Sequence, residues 1–449
     1  MLAYQVLIFV VTFFLYAAVH AVRKTIGTVV VPLKDLGYSN MFFSYMNSAF
    51  MICYASGMIF TGILGDKFKP TLVLLVACLI VASIAIGFGL MAPNFTAASM
   101  WPFYVTLWVL SGFAQSCIWP VEVKLMSGWF AKGHSGSIFG LWSANSSVGN
   151  IMGIYMAALA LYFWDNSKAG ISWTFILPSL VLVAVATATF FLPNSKAEAG
   201  FPDDLVAPEA KDAETPEECV DLGKVELDDS ISSPARMSVW TAWQLPGVIK
   251  YSLCYACVKS VNYTMFYWLT PLLEQSGHSK SVAYNITAMN DVGWIFGGLA
   301  CGYGSDRMGS RAPFVGLFLF LSIIPTALIC LFVDDAIVTG ALIMMNGFLC
   351  GGAGNVVASA VCTDIGKHDR VKGSPDVVGQ VAGIVDGVGA MGVAVSQFIV
   401  GRLADAGIDT IFYLLTGMLL LAFLLISDLV YRETRTWIHN KRKAVNLAK

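Results

Sequence analysis

The sequence predicts an all-α polytopic membrane protein made of two pseudo-symmetric six-helix bundles, and three observations predict it. The first is composition: 449 residues are 57% hydrophobic and 12% charged, with mean hydropathy +0.70, where soluble chains carry about 25% charged residues. The second is the length of the apolar runs, about 20 residues, which suits helices and not the short alternating strands of a barrel. The third is an internal repeat. Gly62-Ile-Leu-Gly-Asp66-Lys67 recurs as Gly302-Tyr-Gly-Ser-Asp306-Arg307, an offset of 240 residues.

Taken in order, the predicted spans are 5–22, 41–64, 71–92, 99–126, 137–161, 171–192, 247–272, 281–304, 313–333, 336–360, 377–402 and 409–431. The first ends Ala18-Val-His-Ala21, like a signal-peptide cleavage site, but without a basic n-region it reads as a retained helix. The proposed units are a bundle at 1–192, an acidic solvated linker at 193–245, a bundle at 246–432 and a basic tail at 433–449. The linker carries Pro193, Pro202, Pro208 and Pro216 with Glu217, Glu218, Asp228 and Asp229.

Loop charge sets the expected orientation. Lys67, Lys69, Lys132, Arg307, Arg311, Lys367, Arg370, Lys372 and Lys441-Arg442-Lys443 share one side with both termini, which places that side in the cytosol. The opposite loops hold Asp334, Asp335, Asp405 and Asp409 and the sequons Asn94-Phe-Thr96 and Asn285-Ile-Thr287, compatible with a lumenal or extracellular face. Of the ten cysteines, nine lie in or beside apolar segments and read as packing residues, including the Cys254 and Cys257 pair. Five scattered histidines (His20, His134, His278, His368, His439) offer no metal-ligand spacing, so neither a metal site nor a cofactor is expected, and a nucleic-acid partner is not expected either.

Twelve spans, a central linker and the paired motif resemble the major facilitator superfamily, in which two six-helix halves rock around a midplane site. Gly62, Asp66 and Lys67 in the first half, and Gly302, Asp306, Arg307 and Arg311 in the second, then form a conformational latch. The glycines allow close helix approach, and each carboxylate can face a helix N-terminus and pair with a base. The first copy departs from the pattern in having Lys69 where the second has Gly309.

The chemistry sits on two cations inside apolar helices, Arg23 and Lys259, which lie 236 residues apart and so follow the repeat. A Lys or Arg at the bilayer centre costs roughly 2.5–3.5 kcal/mol on insertion scales, so it normally faces a wet cavity and binds something there. Tyr16, His20 and Arg23 share one face of the first helix, while Tyr255, Lys259 and Tyr263 stack on the seventh with Asn262 beside them. A guanidinium fork and an ammonium together can balance a phosphate dianion. Lys24 either joins them or snorkels outward.

The first-helix stretch Leu15-Tyr-Ala-Ala-Val-His20-Ala-Val-Arg23-Lys24 resembles that of the organophosphate:phosphate antiporters. Within that group the chain is similar to the sugar-phosphate exchangers of solute carrier family 37, through Gln115-Ser-Cys-Ile-Trp119-Pro120, Ser147-Val-Gly149-Asn150-Ile-Met-Gly153, Tyr267-Trp268-Leu269, Asp291-Val-Gly293 and Thr363-Asp364-Ile-Gly366-Lys367-His368. The resemblance implies that Arg23 and Lys259 bind phosphate and that a phosphorylated sugar, glucose-6-phosphate foremost, exchanges against inorganic phosphate. It also implies an endoplasmic reticulum membrane. Met58 stands where some relatives carry a lysine, and Asn145 and Ser146 stand near Trp142 where relatives place a histidine. Those two residues either bond a sugar hydroxyl or pack helices, and Gln115 and Trp119 flank the sugar.

Two membrane acids, Asp291 and Asp386, either take a coupling proton or pair with Lys259 when the site is empty; pairing is the favoured reading. Gly379, Gly383, Gly387 and Gly392 around Asp386 read as close helix packing. The competing transport reading is a proton-coupled symporter of another organic anion using Asp291, Asp386 or His20. A membrane phosphatase would need a nucleophile or metal cluster that no loop displays, and a receptor would bind sugar phosphate without moving it. Whether the protein forms a homodimer is left open by the sequence.

Overall fold

The computed structural model describes residues 1–61, 64–130, 141–164, 167–201, 239–366 and 377–447. Its long helices are α1 (Leu2–Thr28), α2 (Asn40–Thr61), α3 (Pro70–Met91), α4 (Trp101–Ser116), α5 (Asn145–Phe163), α6 (Lys168–Phe190), α7 (Val248–Gln275), α8 (Lys280–Met308), α9 (Ala312–Phe332), α10 (Ala336–Val356), α11 (Val377–Leu403) and α12 (Ile408–Leu447). Eight of the described helices are long and apolar enough to cross a membrane by length and composition. Of the twelve, α2, α4, α7 and α8 fall outside that set; α7 and α8 carry the polar residues taken up below.

Local chemistry sets some of the helix ends. Ser167 accepts from the Gly170 N–H at 3.2 Å to start α6, and Asp335 accepts from Ile337 and Val338 to start α10. The end of α8 turns through Gly309 at φ 66°, the left-handed conformation that favours glycine. Two expectations change. The predicted span 99–126 is broken at Cys117 and resumes as Ile118–Trp129, because Pro120 has no N–H to donate and its ring crowds the carbonyl of Ser116. Beyond α10, a π-helical segment at Val357–Val361 leads into a short helix at Cys362–Gly366, past the expected end at 360.

Helix α12 continues to Leu447, so much of the predicted tail is helical. The linker at 193–245 is described only up to residue 201 and again from the short helix Val239–Trp243.

Within each half, glycines let helices meet at backbone distance. A Cβ on Gly149 of α5 would stand 2.2 Å from the Ala17 carbonyl oxygen of α1, and one on Gly297 of α8 would stand 1.9 Å from that of Phe348 in α10. Around Asp386 the packing expectation is corrected. A Cβ on Gly383 or Gly387 would meet nothing within 4 Å, whereas Gly389 and Gly392 press on Tyr255 and Ala256 of α7. Gly379 lies where side-chain surroundings are not described.

The halves join through a seam away from the chain termini. Ser48 of α2 donates to the Ala394 carbonyl of α11 at 2.8 Å, Ser44 donates to that of Gln397, and Asn40 donates to Asp405 at 2.7 Å, with Lys34 at 3.8 Å from the same carboxylate. On the other flank, Tyr155 of α5 donates to Asn285 of α8 at 3.0 Å. Toward the terminal end Asp386 is 27% exposed. Hydrogen bonds and an ion pair thus tie the two halves together at the end opposite the termini.

Replacing Gly149 by Val should lower the thermal midpoint of the purified protein, with a cost of roughly 1–3 kcal/mol for forced overpacking. Gly87→Ala, where a Cβ meets nothing within 4 Å, should leave it unchanged or slightly higher. A thermal melt followed by size-exclusion chromatography checks both.

Candidate functional site

Arg23 lies where α1, α2, α4 and α7 converge and is 5% exposed. Its Nε donates to Gln115 Oε1 at 2.9 Å and its NH1 to the Tyr263 hydroxyl at 3.2 Å. The guanidinium carbon sits 4.9 Å from the Phe50 ring centre and 5.0 Å from that of Tyr54. Each such contact contributes about 0.5–2 kcal/mol, yet neither supplies a counter-charge. Among the described residues no carboxylate lies within ion-pair distance of Arg23. It is a fully formed cation with neutral partners, the electrostatic condition for a site that receives an anion.

Lys259 is held differently. Its Nζ donates to Asp386 at 2.6 Å, with the rings of Tyr255 and Tyr263 at 5.5 and 5.9 Å. Tyr263 therefore touches both cations, the arginine through its hydroxyl and the lysine through its face. Asn262 is half-buried beside them.

A second polar group crosses the two halves. His20 Nδ1 lies 3.0 Å from Asn150 Oδ1, and Asn150 Nδ2 donates to Asp291 at 2.6 Å. Asp291 thus bonds Asn150 of the other half, while the carboxylate that pairs with Lys259 is that of Asp386. Lys24 is 1% exposed and donates to the Phe266 carbonyl at 2.6 Å, so it turns inward and the outward snorkel is excluded. The carbonyl it engages belongs to α7, which makes Lys24 a tie between the bundles.

An aromatic cluster lies beside these residues in the first half. Tyr16 packs on His20 at 4.9 Å and on Trp119 at 4.8 Å, and Trp119 stacks on Trp142 at 4.9 Å and 25°. Asn145 is fully buried and both of its amide atoms lack a partner, while Ser146 donates to the Ser143 carbonyl at 3.4 Å. Nothing brings either into contact with Arg23.

The second latch is partly assembled: Arg311 pairs with Asp306 and, at 3.0 Å, with Asp364. At the N-terminus of α9, Glu433 accepts from the Ala312 N–H at 3.0 Å and from the Ser310 hydroxyl at 2.6 Å. Arg307 lies over the Tyr303 ring at 4.8 Å. In the first copy Lys67 is exposed, whereas Gly62 and the Asp66 side chain lie outside the described residues.

Sequence reasoning missed four residues. Phe50 and Tyr54 stand at i and i+4 before Met58, so the helix face marked by the missing lysine was already a signal for them. Asn150 lay inside a quoted stretch without a role. Glu122, inside the predicted fourth span, was passed over; it is fully buried and neither carboxyl oxygen has a hydrogen-bond partner.

Two helical bundles with buried cations, Arg23 and Lys259, where they meet define a multi-pass membrane transporter. The chain belongs to the Major Facilitator Superfamily, whose family profile matches residues 12–375, and within it to the sugar-phosphate exchangers. It is 31% identical to Sugar phosphate exchanger 3 of Bos taurus over 98% of this chain and 96% of that one. The Gallus gallus protein of the same name is 32% identical over 98% and 94%, and Glucose-6-phosphate exchanger SLC37A2 of Mus musculus 28% identical over 96% and 93%. Among solved structures, a bacterial homolog of the human lysosomal transporter Spinster superposes with TM-score 0.65 at 14% identity, covering 97% and 98% of the two chains, and nucleoside transporter NupG with 0.63 at 13%, covering 94% and 98%. These two share the fold.

Replacing Asp386 by Asn frees Lys259 from its carboxylate, so inorganic phosphate should bind about five- to tenfold more tightly, roughly 1–1.4 kcal/mol. Equilibrium binding of labelled phosphate to the purified variant measures this; unchanged or weaker binding by folded protein would remove Lys259 from the phosphate site.

Proposed function

We propose that this protein exchanges a phosphorylated sugar, glucose-6-phosphate foremost, for inorganic phosphate by rocker-switch alternating access. The observation that carries the reading is Arg23, buried with neutral hydrogen-bond partners and without a carboxylate. Five charged groups meet near the interface of the halves: Arg23, Lys24, Lys259, Asp291 and Asp386. Three cations against two carboxylates leave an excess of one positive charge in the empty carrier.

The sequence of events follows from that imbalance. In this reading the end that carries the termini is the looser one, and a phosphate entering there takes the Nη hydrogens of Arg23 not held by Tyr263 and competes with Asp386 for Lys259. The two cations come from different halves, so the bound anion draws α1 and α7 together and removes the repulsion that opposes closure. Tyr16, His20, Tyr255, Asn262 and Tyr263 line the cavity, and Gln115 holds the arginine by its Nε, leaving the fork aimed at substrate. Trp119 offers an aromatic face to the apolar side of a sugar ring. An empty carrier cannot bury Arg23 uncompensated in both states, which makes the cycle an exchange and not a leak. The looser end is taken as cytosolic from the loop charges, with both termini there, and the membrane as that of the endoplasmic reticulum.

Proton-coupled symport of an organic anion is the second reading, and Glu122 favours it: a buried intramembrane carboxyl without a partner is a place where a transported proton can reside.

Proteoliposomes preloaded with phosphate should take up labelled phosphate, with glucose-6-phosphate competing. Arg23→Ala or Lys259→Ala should reduce that uptake at least about a hundredfold, the loss of one charged hydrogen-bonded contact of about 3 kcal/mol, with normal yield of folded protein. Uptake by either variant within a fewfold of the parent would refute the phosphate assignment. Uptake that needs a pH gradient and ignores internal phosphate would establish the second reading.

A further inference from the structure

Away from the cavity, a groove of about 730 Å3 opens on the outer surface where α2, α4 and α11 meet. We propose that it is a binding site for an anionic phospholipid, with an acyl chain in the groove and the phosphodiester at Arg402. Its walls are Tyr45, Ala49 and Ile52 of α2, Trp101 and Val105 of α4, and Val395 and Phe398 of α11. From Tyr45 to Ile52 it runs about 10 Å along the helix axis. Ser48, the polar residue midway along the α2 wall, already has its hydroxyl committed to the Ala394 carbonyl at 2.8 Å. The lining is therefore a largely apolar surface suited to a hydrocarbon chain, which the surrounding bilayer supplies.

The head of the groove is where the specificity comes from. Arg402 lies one turn beyond Phe398 on α11, toward the end opposite the termini, and is exposed. Its guanidinium stacks over the Phe398 ring at 4.4 Å, which ties the charge to the groove wall. The nearest acid in sequence, Asp405, is already engaged by Asn40 and Lys34. Arg402 stands at the last turn of a spanning helix, the depth of lipid headgroups, as a fork that matches phosphodiester oxygens. At the first turn of α4, the buried indole N–H of Trp101 has no hydrogen-bond partner, a donor that an ester carbonyl at that depth satisfies on a small tilt of the ring.

The groove is built from both halves, since α2 and α4 belong to the first and α11 to the second. It keeps this shape only while the α2–α11 seam is bonded, so a lipid seated there favours the state closed at that end.

Trp101 supplies the probe. The full-length protein is placed in phosphatidylcholine vesicles with brominated phosphatidylglycerol or brominated phosphatidylcholine as quencher, and the Trp101 signal is taken as the difference from Trp101→Phe. The brominated anionic lipid should quench that signal with about fivefold higher relative affinity, the effect of one basic residue at the surface. Arg402→Ala should bring the ratio to about one. Ala49→Phe, which fills the groove, should abolish Trp101 quenching by both lipids, with the phosphate exchange of each variant serving as the check on folding. Equal quenching by the two lipids in the parent protein, or a preference that survives Arg402→Ala, would overturn the proposal.

Discussion

Burying Arg23 without a carboxylate is the constraint on which the rest of the structure depends. An uncompensated cation in a low-dielectric interior is tolerated only if every neighbouring group lowers its energy a little. Around it stand an amide oxygen, a phenol oxygen and two aromatic faces. Four helices must therefore approach one guanidinium, and that requirement explains why polar and aromatic residues gather on the inner faces of otherwise oily segments. It also explains why the two halves are not symmetric in detail. Lys259, the counterpart in the second half, has its own carboxylate and is neutralised locally, so only one side of the pseudo-two-fold site is electrostatically open.

The tie between the halves is polar where it has to break and be remade. Ser44, Ser48 and Asn40 meet the second half through single hydrogen bonds, and Asn150 reaches Asp291 through another. Contacts of this kind contribute about 0.5–1.5 kcal/mol each, more where one partner is charged, which holds a closed end without locking it. Within each half, by contrast, glycines bring backbones into van der Waals contact along α1–α5 and α8–α10. Rigid halves joined by a modest seam are what a rocking motion requires.

Much of this was legible in the sequence. Span positions followed from apolar length, and the burial of Arg23 in one half and of Lys259 in the other agrees with the repeat offset that singled them out. The departures have physical reasons. The fourth span breaks at Cys117 because Pro120 acts on a carbonyl one turn back, a local effect that a hydropathy window smooths over. Gly383 and Gly387 looked like packing residues by composition, yet which face of α11 meets α7 depends on helix rotation, and Gly389 and Gly392 occupy that face. Glu433 at the start of α9 had no signal in the sequence because it comes from a helix more than a hundred residues later.

The sequence by itself determined the class of the protein and singled out Arg23 and Lys259 as cations inside apolar helices, because hydrophobic length and the cost of a buried charge are properties readable residue by residue. Only the tertiary structure decided the partners: that Asp386 and not Asp291 neutralises Lys259, that Lys24 turns inward to a carbonyl of α7, and that Arg23 is left with neutral neighbours. Such choices depend on how each helix is rotated about its axis and which helix stands next to it, and a rotation of one residue, about 100°, is enough to exchange one partner for another.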